Sequence, residues 1–197
     1  AFRTACSNYD IEFVASETMT DGDRDFTGQF AKINAANPDA VFIWCLGDDL
    51  GAVTKQLRQS GFDGPILGSE SYTLPEILEN AGDAANGVAF ASQYIVYSDP
   101  NDAEDELMKN FLERYIEEFG SSPASDNAFR AYDGVMMIAE AMEAAQTDRG
   151  EALRDAYNNI DGHVGLAGTF SYVGKNGEGI ESMRIFLIQD GKYVEAQ

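Results

Sequence analysis

The chain has 197 residues, 44% of them hydrophobic and 24% charged, which is typical of a globular protein with one core or two small lobes. Its 34 acidic residues outnumber the 13 basic ones, so that the formal net charge is −21, and the basic residues form no cluster. This balance argues against a nucleic-acid partner, because a phosphate backbone would be repelled, and no apolar run is long enough to cross a bilayer.

Strands and helices are predicted to alternate through the first 119 residues, because apolar residues recur at helical spacing between short apolar runs. We predict strands in residues 11–16, 41–46, 66–69 and 88–95, after a short leading helix that contains Cys6. The helix after the first strand carries Phe26, Phe30 and Ile33 with Asp23 or Asp25 as its N-cap, and the next carries Leu50, Val53 and Leu57 and stops at Gly61. A capping box of Thr73 and Glu76 opens the third, and the fourth carries Leu107, Phe111, Tyr115 and Phe119 and stops at Gly120. This alternation indicates an α/β fold, a Rossmann-like parallel sheet with flanking helices.

The pattern changes after residue 121. A helix is predicted over residues 127–145, followed by a shorter helix and then by strands in 169–172 and 183–194, the last of which turns at Asp190-Gly191. The apolar side of the 127–145 helix is predicted to carry Tyr132, Val135, Met136, Ala139 and Met142, and the shorter helix carries Leu153, Ala156 and Tyr157. We therefore place a domain boundary between residues 1–121 and 122–197.

The chemistry-bearing residues give little support to catalysis, so that we predict no enzyme, catalytic residue, cofactor or metal site. The only histidine, His163, lies in a glycine-rich stretch and is interpreted as a loop residue, and no nucleophile elbow or nucleotide-binding glycine motif is present. The stretch DGDRD begins like a calcium loop, but Phe26 stands where glycine is needed and Lys32 where the bidentate glutamate belongs. Cys6 and Cys45 are predicted to be free thiols, because they lie at opposite edges of the predicted sheet.

Two neighbouring strand ends place polar residues at one edge of the predicted sheet. Leu46 ends the strand VFIWCL and Asp48 lies two residues beyond it, while Ser69 ends the next strand and Glu70 follows it. Ligands of open parallel sheets bind in the crevice beyond these carboxyl ends. The favoured interpretation of Asp48 is a helix N-cap, whereas Glu70 has no predicted helix to cap and is either a ligand carboxylate or an ordinary exposed glutamate.

Three long stretches resemble a known family. DRDFTGQFAKINAANPDAVFIWCLGDDLGAVTKQLRQSGFDGPILGSES, NAGDAANGVAF and AFRAYDGVMMIAEAM, together with a closing TF, NGEG and MRIFLIQDGKYV, are similar in wording and order to the leucine/isoleucine/valine type of the type I periplasmic-binding-protein family. The resemblance covers almost the whole chain but not the whole family. It implies the second lobe of a two-lobed fold plus helices that belong to the first lobe, with the N-terminal part of the first lobe missing.

The resemblance also implies roles for residues at the strand ends. Glu70 aligns with the acid that receives the ligand's amino group in the family. Leu46 aligns where the leucine-type receptors carry a tyrosine, and Asn127 aligns near an aromatic position, so that a branched aliphatic ligand does not follow. With Asp48 and Ser69 beside them, these residues form the predicted ligand-binding set for an amino acid or a similar solute.

The family's function is implied by the same resemblance. Its members are extracellular or periplasmic receptors, held by a lipoprotein anchor in Gram-positive sources, which close around a solute by a hinge and deliver it to an ABC transporter permease. The alternatives are a sensory ligand-binding domain of a receptor or regulator and, with less support, a flavodoxin-like enzyme. Without the first lobe's sheet, the helix over 127–145 would be uncovered, which predicts that the chain could form a homodimer.

Overall fold

The structure, a computed structural model of the chain, describes residues 2–45, 49–103, 105–175, 177, 179–180 and 183–196. In these ranges the α-helices are α1 (Phe2–Asn8), α2 (Thr27–Ala35), α3 (Asp49–Gln59), α4 (Pro75–Ala81), α5 (Glu106–Phe119), α6 (Asn127–Ala145) and α7 (Gly150–Asn158). The strands are β1 (Val41–Ile43), β2 (Ile66–Gly68), β3 (Val88–Ser92), β4 (Asp161–Gly165), β5 (Gly168–Ser171), β6 (Arg184–Gln189) and β7 (Lys192–Glu195). They form two compact units: unit 1 contains Ala1–Tyr72, Glu76–Ala91 and Ile185–Gln197, and unit 2 contains Thr73–Pro75 and Ser92–Arg184.

Unit 1 is built on a five-stranded sheet in the order β1-β2-β3-β6-β7. The first three strands are parallel, with Val41 paired to Ile66 and Ile66 to Val88, and helices α3 and α4 connect them. The last two strands form an antiparallel hairpin, whose turn residues Asp190 and Gly191 both have positive φ angles, 51° and 71°. The predicted α/β class and the predicted turn are therefore confirmed.

The core of unit 1 follows the apolar spacing that predicts its helices. Leu50, Val53 and Leu57 of α3 are fully buried, and so are Ile66 and Val88 on the strands beside them. Burying side chains of this size stabilises a fold by roughly 1.5 to 3 kcal/mol each. Helix α2 begins at Thr27 with Phe26 as its N-cap residue, so the prediction of Asp23 or Asp25 as the N-cap is wrong. The Asp25 carboxylate accepts a hydrogen bond from the Thr27 amide over 2.9 Å, one residue before that N-cap.

Three further predictions for unit 1 are wrong. The strand predicted in residues 11–16 is absent, since residues 11–20 form no regular structure. Strand β1 is therefore the edge strand, and within the described ranges it pairs with β2 alone. The strand predicted in residues 41–46 is shorter: β1 ends at Ile43, and the side chain of Trp44 after it is 68% exposed. Helix α4 starts at Pro75, so that Leu74 and not Thr73 stands before its first residue, and Glu70–Thr73 forms a 3₁₀ turn.

Unit 2 combines the helices α5, α6 and α7 with the antiparallel hairpin β4-β5. Helix α5 ends at Gly120, which has the left-handed φ of 78° that a glycine C-cap requires, and α6 spans the predicted residues 127–145. One buried cluster joins α5 and α6 through Leu112 and Phe129, and another joins α6 and the hairpin through Met137 and Phe170.

Helix α6 buries a different side from the one predicted. The buried positions follow each other at intervals of four residues: Phe129, Asp133, Met137 and Ala141. On the predicted apolar side, Val135, Met136 and Met142 are 63%, 43% and 37% exposed, respectively. The helix is therefore apolar on two faces, and only one face is covered by the described part of unit 2.

His163 does not lie in a loop, as was predicted, but in strand β4, and its Nδ1 atom lies 2.6 Å from the Glu140 carboxylate. The glycines around it form the ends of a tight hairpin, in which Gly165 pairs with Gly168. Cys6 and Cys45 are free thiols, as predicted, with Cys6 buried and Cys45 partly buried. Across the described residues, no helix has both the length and the apolar character that crossing a membrane requires.

The two compact units do not coincide with the division predicted at residues 121 and 122. The chain leaves unit 1 after Ala91 and returns to it at Ile185. The predicted boundary concerns the two lobes of a longer protein, so the assignment of residues 122–197 to a first lobe stays a prediction.

Candidate functional site

The carboxyl ends of β1 and β2 lie side by side in unit 1, as the parallel register requires. Ile43 pairs with Gly68, and just beyond this pair the Ser69 hydroxyl donates to the Cys45 carbonyl oxygen over 3.2 Å. Ser69 is only 2% exposed. Its hydroxyl therefore ties the two strand ends together, and the ligand contact predicted for Ser69 remains untested.

Glu70 follows Ser69 and is exposed at this edge of the sheet. The premise that no helix explains Glu70 is wrong, because it is the first residue of the 3₁₀ turn Glu70–Thr73. In this turn Glu70 is exposed, whereas the three residues after it are buried. The edge thus presents one acidic side chain on a turn whose other members are anchored in the core.

Tyr72 anchors this turn from inside. Its ring is fully buried, and its hydroxyl lies 2.6 Å from the Thr54 hydroxyl oxygen. Because Thr54 donates its own hydroxyl hydrogen to the Leu50 carbonyl over 2.7 Å, Tyr72 must be the donor to Thr54. Burial raises the pKa of Tyr72, so that the hydroxyl stays neutral at physiological pH.

The backbone on either side of Glu70 is also fixed. The Tyr72 ring lies over Gly68, where a Cβ atom would come within 2.1 Å of the ring, so that only glycine fits. Tyr193 on β7 donates its hydroxyl to the Tyr72 carbonyl oxygen over 2.9 Å, and burial raises the pKa of that phenol as well. Glu70 therefore lies on a turn whose backbone is fixed on both sides by packing and hydrogen bonding.

Asp49 opens helix α3 next to the first strand end. Its carboxylate accepts from the Arg24 guanidinium over 2.9 Å and from the Gly22 amide over 3.1 Å. Burial and then the negative charge of Asp49 raise the pKa of the Cys45 thiol to about 11. Cys45 is thus protonated at neutral pH and is a weak nucleophile.

Of the predicted ligand residues, the structure describes Ser69 and Glu70 side by side in unit 1. Leu46 and Asp48 lie outside the described residues. Asn127 is the exposed first residue of α6 and belongs to unit 2. Among the described residues, no three His, Cys, Asp or Glu side chains are grouped as a metal ion would need.

Sequence reasoning missed the residues that hold the Glu70 turn. Tyr72, Thr54 and Tyr193 come from three different elements and belong to no motif. The only local signal is Gly68, which stands inside a strand, where a glycine often marks the close approach of another group.

Comparison with known proteins places the chain. The family model described as periplasmic binding protein matches residues 1–192. A Leu/Ile/Val-binding protein homolog of Brucella melitensis is 26% identical over 195 residues, which are 98% of this chain and 51% of that protein. The crystal structure of the leucine binding protein LivK of Thermotoga maritima is 28% identical, with a TM-score of 0.76 over 91% of this chain and 49% of its own.

A structure of lower identity shows the same fold. The branched-chain amino acid transporter substrate binding protein LivJ of Streptococcus pneumoniae, solved in complex with isoleucine, is 23% identical, with a TM-score of 0.78 over 99% of this chain and 56% of its own. The chain spans about half the length of the relatives it matches. With a family model that covers all but the last few residues, the chain belongs to the periplasmic binding protein family.

Proposed function

We propose that residues 1–197 are part of an extracellular solute-binding protein of an ABC transporter, and that Glu70 receives the ammonium group of an amino-acid ligand. The observation that carries the proposal is the exposed carboxylate of Glu70 on an anchored turn where two parallel strands end. The names of the relatives support the ligand class, since they describe leucine/isoleucine/valine binding and, for LivJ, a complex with isoleucine.

The chemistry of the turn suits an ammonium ligand. A carboxylate forms charge-assisted hydrogen bonds to an ammonium group, which are about twice as strong as neutral ones. Ordered groups below Glu70 hold it in place, so that the ligand need not pay for ordering the turn. The phenols of Tyr72 and Tyr193 remain neutral there and add no competing charge.

We propose that the ligand's carboxylate is held by the first lobe of the longer protein. In this proposal Leu46, Asp48 and Asn127 border the ligand's side chain, and groups outside residues 1–197 hold its carboxylate. Ligand binding would then stabilise a closed form by bridging two lobes, and the permease would recognise that form. Residues 1–197 alone would bind an amino acid weakly or not at all, because they supply only part of its contacts.

The location follows from the same proposal. A receptor that hands solutes to an ABC transporter acts in the periplasm or on the outer surface of the cell, with a lipoprotein anchor if the source is Gram-positive. The strong acidity does not distinguish the periplasm from the outer cell surface, since a net charge of −21 favours solubility in either.

The test is a thermal-shift panel of L-leucine, L-isoleucine, L-valine and the other L-amino acids. It is made on a polypeptide that carries residues 1–197 together with the remainder of the relatives' length. A ligand at 100 times its Kd adds about 2.7 kcal/mol to stability, which raises the Tm visibly.

Two variants complete this test. Glu70→Gln is expected to abolish the shift, while Glu76→Gln, which changes an exposed acid six residues further on, is expected to keep it. The absence of a shift with every amino acid would overturn the ligand class, and an unchanged shift in Glu70→Gln would overturn the role of Glu70.

A further inference from the structure

Ser71 follows Glu70 in the 3₁₀ turn Glu70–Thr73 and is almost completely buried, with 9% of its surface exposed. Within the described ranges its hydroxyl group has no hydrogen-bond partner. Buried polar groups of folded proteins are nearly always bonded, because burying one without a partner is unfavourable. The unbonded hydroxyl of Ser71 therefore needs an explanation other than the stability of the turn.

The hydroxyl groups on either side of Ser71 are used by the fold. Ser69 donates to the Cys45 carbonyl oxygen over 3.2 Å, and the Tyr72 hydroxyl lies 2.6 Å from that of Thr54. Every fully enclosed side-chain oxygen and nitrogen of the described residues has a partner, so the unbonded Ser71 oxygen is not fully enclosed and is accessible from outside. The turn thus offers two polar groups to a ligand, the Glu70 carboxylate and the Ser71 hydroxyl.

These two groups are close enough to hold the same ligand atom. The peptide bond between Glu70 and Ser71 is trans, which places their Cα atoms about 3.8 Å apart. Ser71 is fixed by its burial, whereas the exposed and longer side chain of Glu70 can adjust to a ligand. One ammonium nitrogen can therefore contact both the carboxylate and the hydroxyl.

We propose that the Ser71 hydroxyl oxygen accepts a second hydrogen bond from the ligand's ammonium group and thereby restricts the site to primary amino acids. This inference rests on the proposed role of Glu70. A primary ammonium group has three N–H donors, and a hydroxyl oxygen has two lone pairs to accept from them. N-methylation removes one donor and places a methyl group against the hydroxyl. A site built to bond an N–H group rejects an analogue that lacks it, because its own polar group is then left unpaired.

Calorimetric titration of the polypeptide of full family length tests the proposal. The probes are L-leucine, L-isoleucine, L-valine and their N-methyl derivatives. Ser71→Ala is expected to weaken binding of the primary amino acids about 10-fold, because it removes one hydrogen bond to a charged group. The N-methyl derivatives already lack this bond, so the same substitution is expected to change their affinity by about 2-fold at most.

Ser60→Ala is the matched control. Ser60 follows the last residue of α3, at the end of that helix away from the strand ends, and donates to the Leu57 carbonyl oxygen over 2.7 Å. Its loss is expected to lower the melting temperature of the unliganded polypeptide and to leave every affinity unchanged. Ser71→Ala is expected to do the opposite, since within the described ranges its hydroxyl makes no bond that the fold would lose.

The outcomes separate this inference from the role of Glu70. Unchanged binding in Ser71→Ala, together with lost binding in Glu70→Gln, would overturn the inference alone. An equal loss for the primary and the N-methylated ligands in Ser71→Ala would also overturn it, because the hydroxyl would then act on the turn and not on the ammonium group. If the parent binds none of the six probes, the inference falls together with the proposed ligand class.

Discussion

The two units of the chain satisfy their buried polar groups in different ways. In unit 1 the buried hydroxyls of Tyr72 and Thr54 bond to each other and to backbone carbonyls, and every member is neutral. In unit 2 the group is a carboxylate: Asp133, 1% exposed, accepts from the Leu166 amide over 2.7 Å and the Ala167 amide over 3.1 Å. The Tyr94 hydroxyl donates to the same carboxylate over 3.0 Å.

The difference determines how each unit responds to a lost partner. A neutral hydrogen bond contributes about 0.5 to 1.5 kcal/mol net, so the turn at Glu70 rests on several modest contacts. Burying a carboxylate is unfavourable unless all of its hydrogen bonds are made. Removing it leaves all of its donors without an acceptor at once. Unit 2 therefore depends on one side chain to hold its hairpin, whereas unit 1 spreads the same task over β2, α3 and β7.

The largest effect is expected from Asp133→Ala. The substitution leaves one buried amide, one partly buried amide and the Tyr94 hydroxyl without this acceptor, which should lower the free energy of unfolding by about 3 kcal/mol or more. Asp133→Asn, which keeps one carbonyl oxygen at the site, should lose less. Urea unfolding measures both variants, and a loss below about 1 kcal/mol for Asp133→Ala would show that the hairpin does not depend on this carboxylate.

A smaller effect is expected from Gly68→Ala. The new Cβ would stand 2.1 Å from the Tyr72 ring, so the ring must move, and overpacking of this kind costs roughly 1 to 3 kcal/mol. The matched control is Gly28→Ala in α2, where nothing lies within 4 Å and where alanine is the better helix former. Equal urea midpoints for the two variants would contradict the close packing of Tyr72 on β2.

Tyr193→Phe tests the outer contact of the same turn and should have a smaller effect again. It removes one donor to the Tyr72 carbonyl, for an expected loss of about 1 kcal/mol. Tyr9→Phe, a change in a side chain that is 78% exposed, serves as the control and should leave the unfolding midpoint where it is. If both variants unfold like the parent, the Tyr193 hydroxyl does not hold the turn.

The buried tyrosines of both units are expected to leave the free energy of unfolding unchanged around neutral pH and to lower it increasingly in alkali. Burial raises the pKa of Tyr72, Tyr94, Tyr157 and Tyr193, and at Tyr94 the charge of Asp133 adds to it. A raised folded pKa means that the unfolded phenol loses its proton first, near pH 10, so stability is constant below that pH and falls above it.

Absorbance near 295 nm follows the phenolates directly. Of the nine tyrosines, these four should ionise only as the chain unfolds, in one cooperative step above pH 10. Titration of these four at the ordinary tyrosine pKa in the folded chain would contradict their burial.

What the sequence could predict was set by local patterns. Helix α5 with its Gly120 end, helix α6 and the Asp190-Gly191 turn were predicted because their apolar spacing and turn residues lie within one segment. The edge where β1 and β2 end was predicted for the same reason, since parallel strands bring their carboxyl ends together.

The remaining features depend on partners far away in sequence. The buried side of α6 could not be chosen because the helix is apolar on both faces, and Asp133 reads as a solvent residue until its donors from the hairpin are known. The contact from Tyr193 to Tyr72 spans 121 residues. Residues 11–16 alternate like a strand, but alternation alone does not supply a neighbouring strand to pair with.

The role of Glu70 is tested most directly by calorimetric titration of L-leucine and of 4-methylpentanoate, which is leucine without its amino group. Both are titrated into the polypeptide of full family length and into its Glu70→Gln variant. We expect the variant to bind L-leucine at least 10-fold more weakly and to bind 4-methylpentanoate as weakly as the parent does, because only leucine offers an ammonium group. Equal affinity of parent and variant for L-leucine would contradict the assignment of Glu70 as the ammonium site.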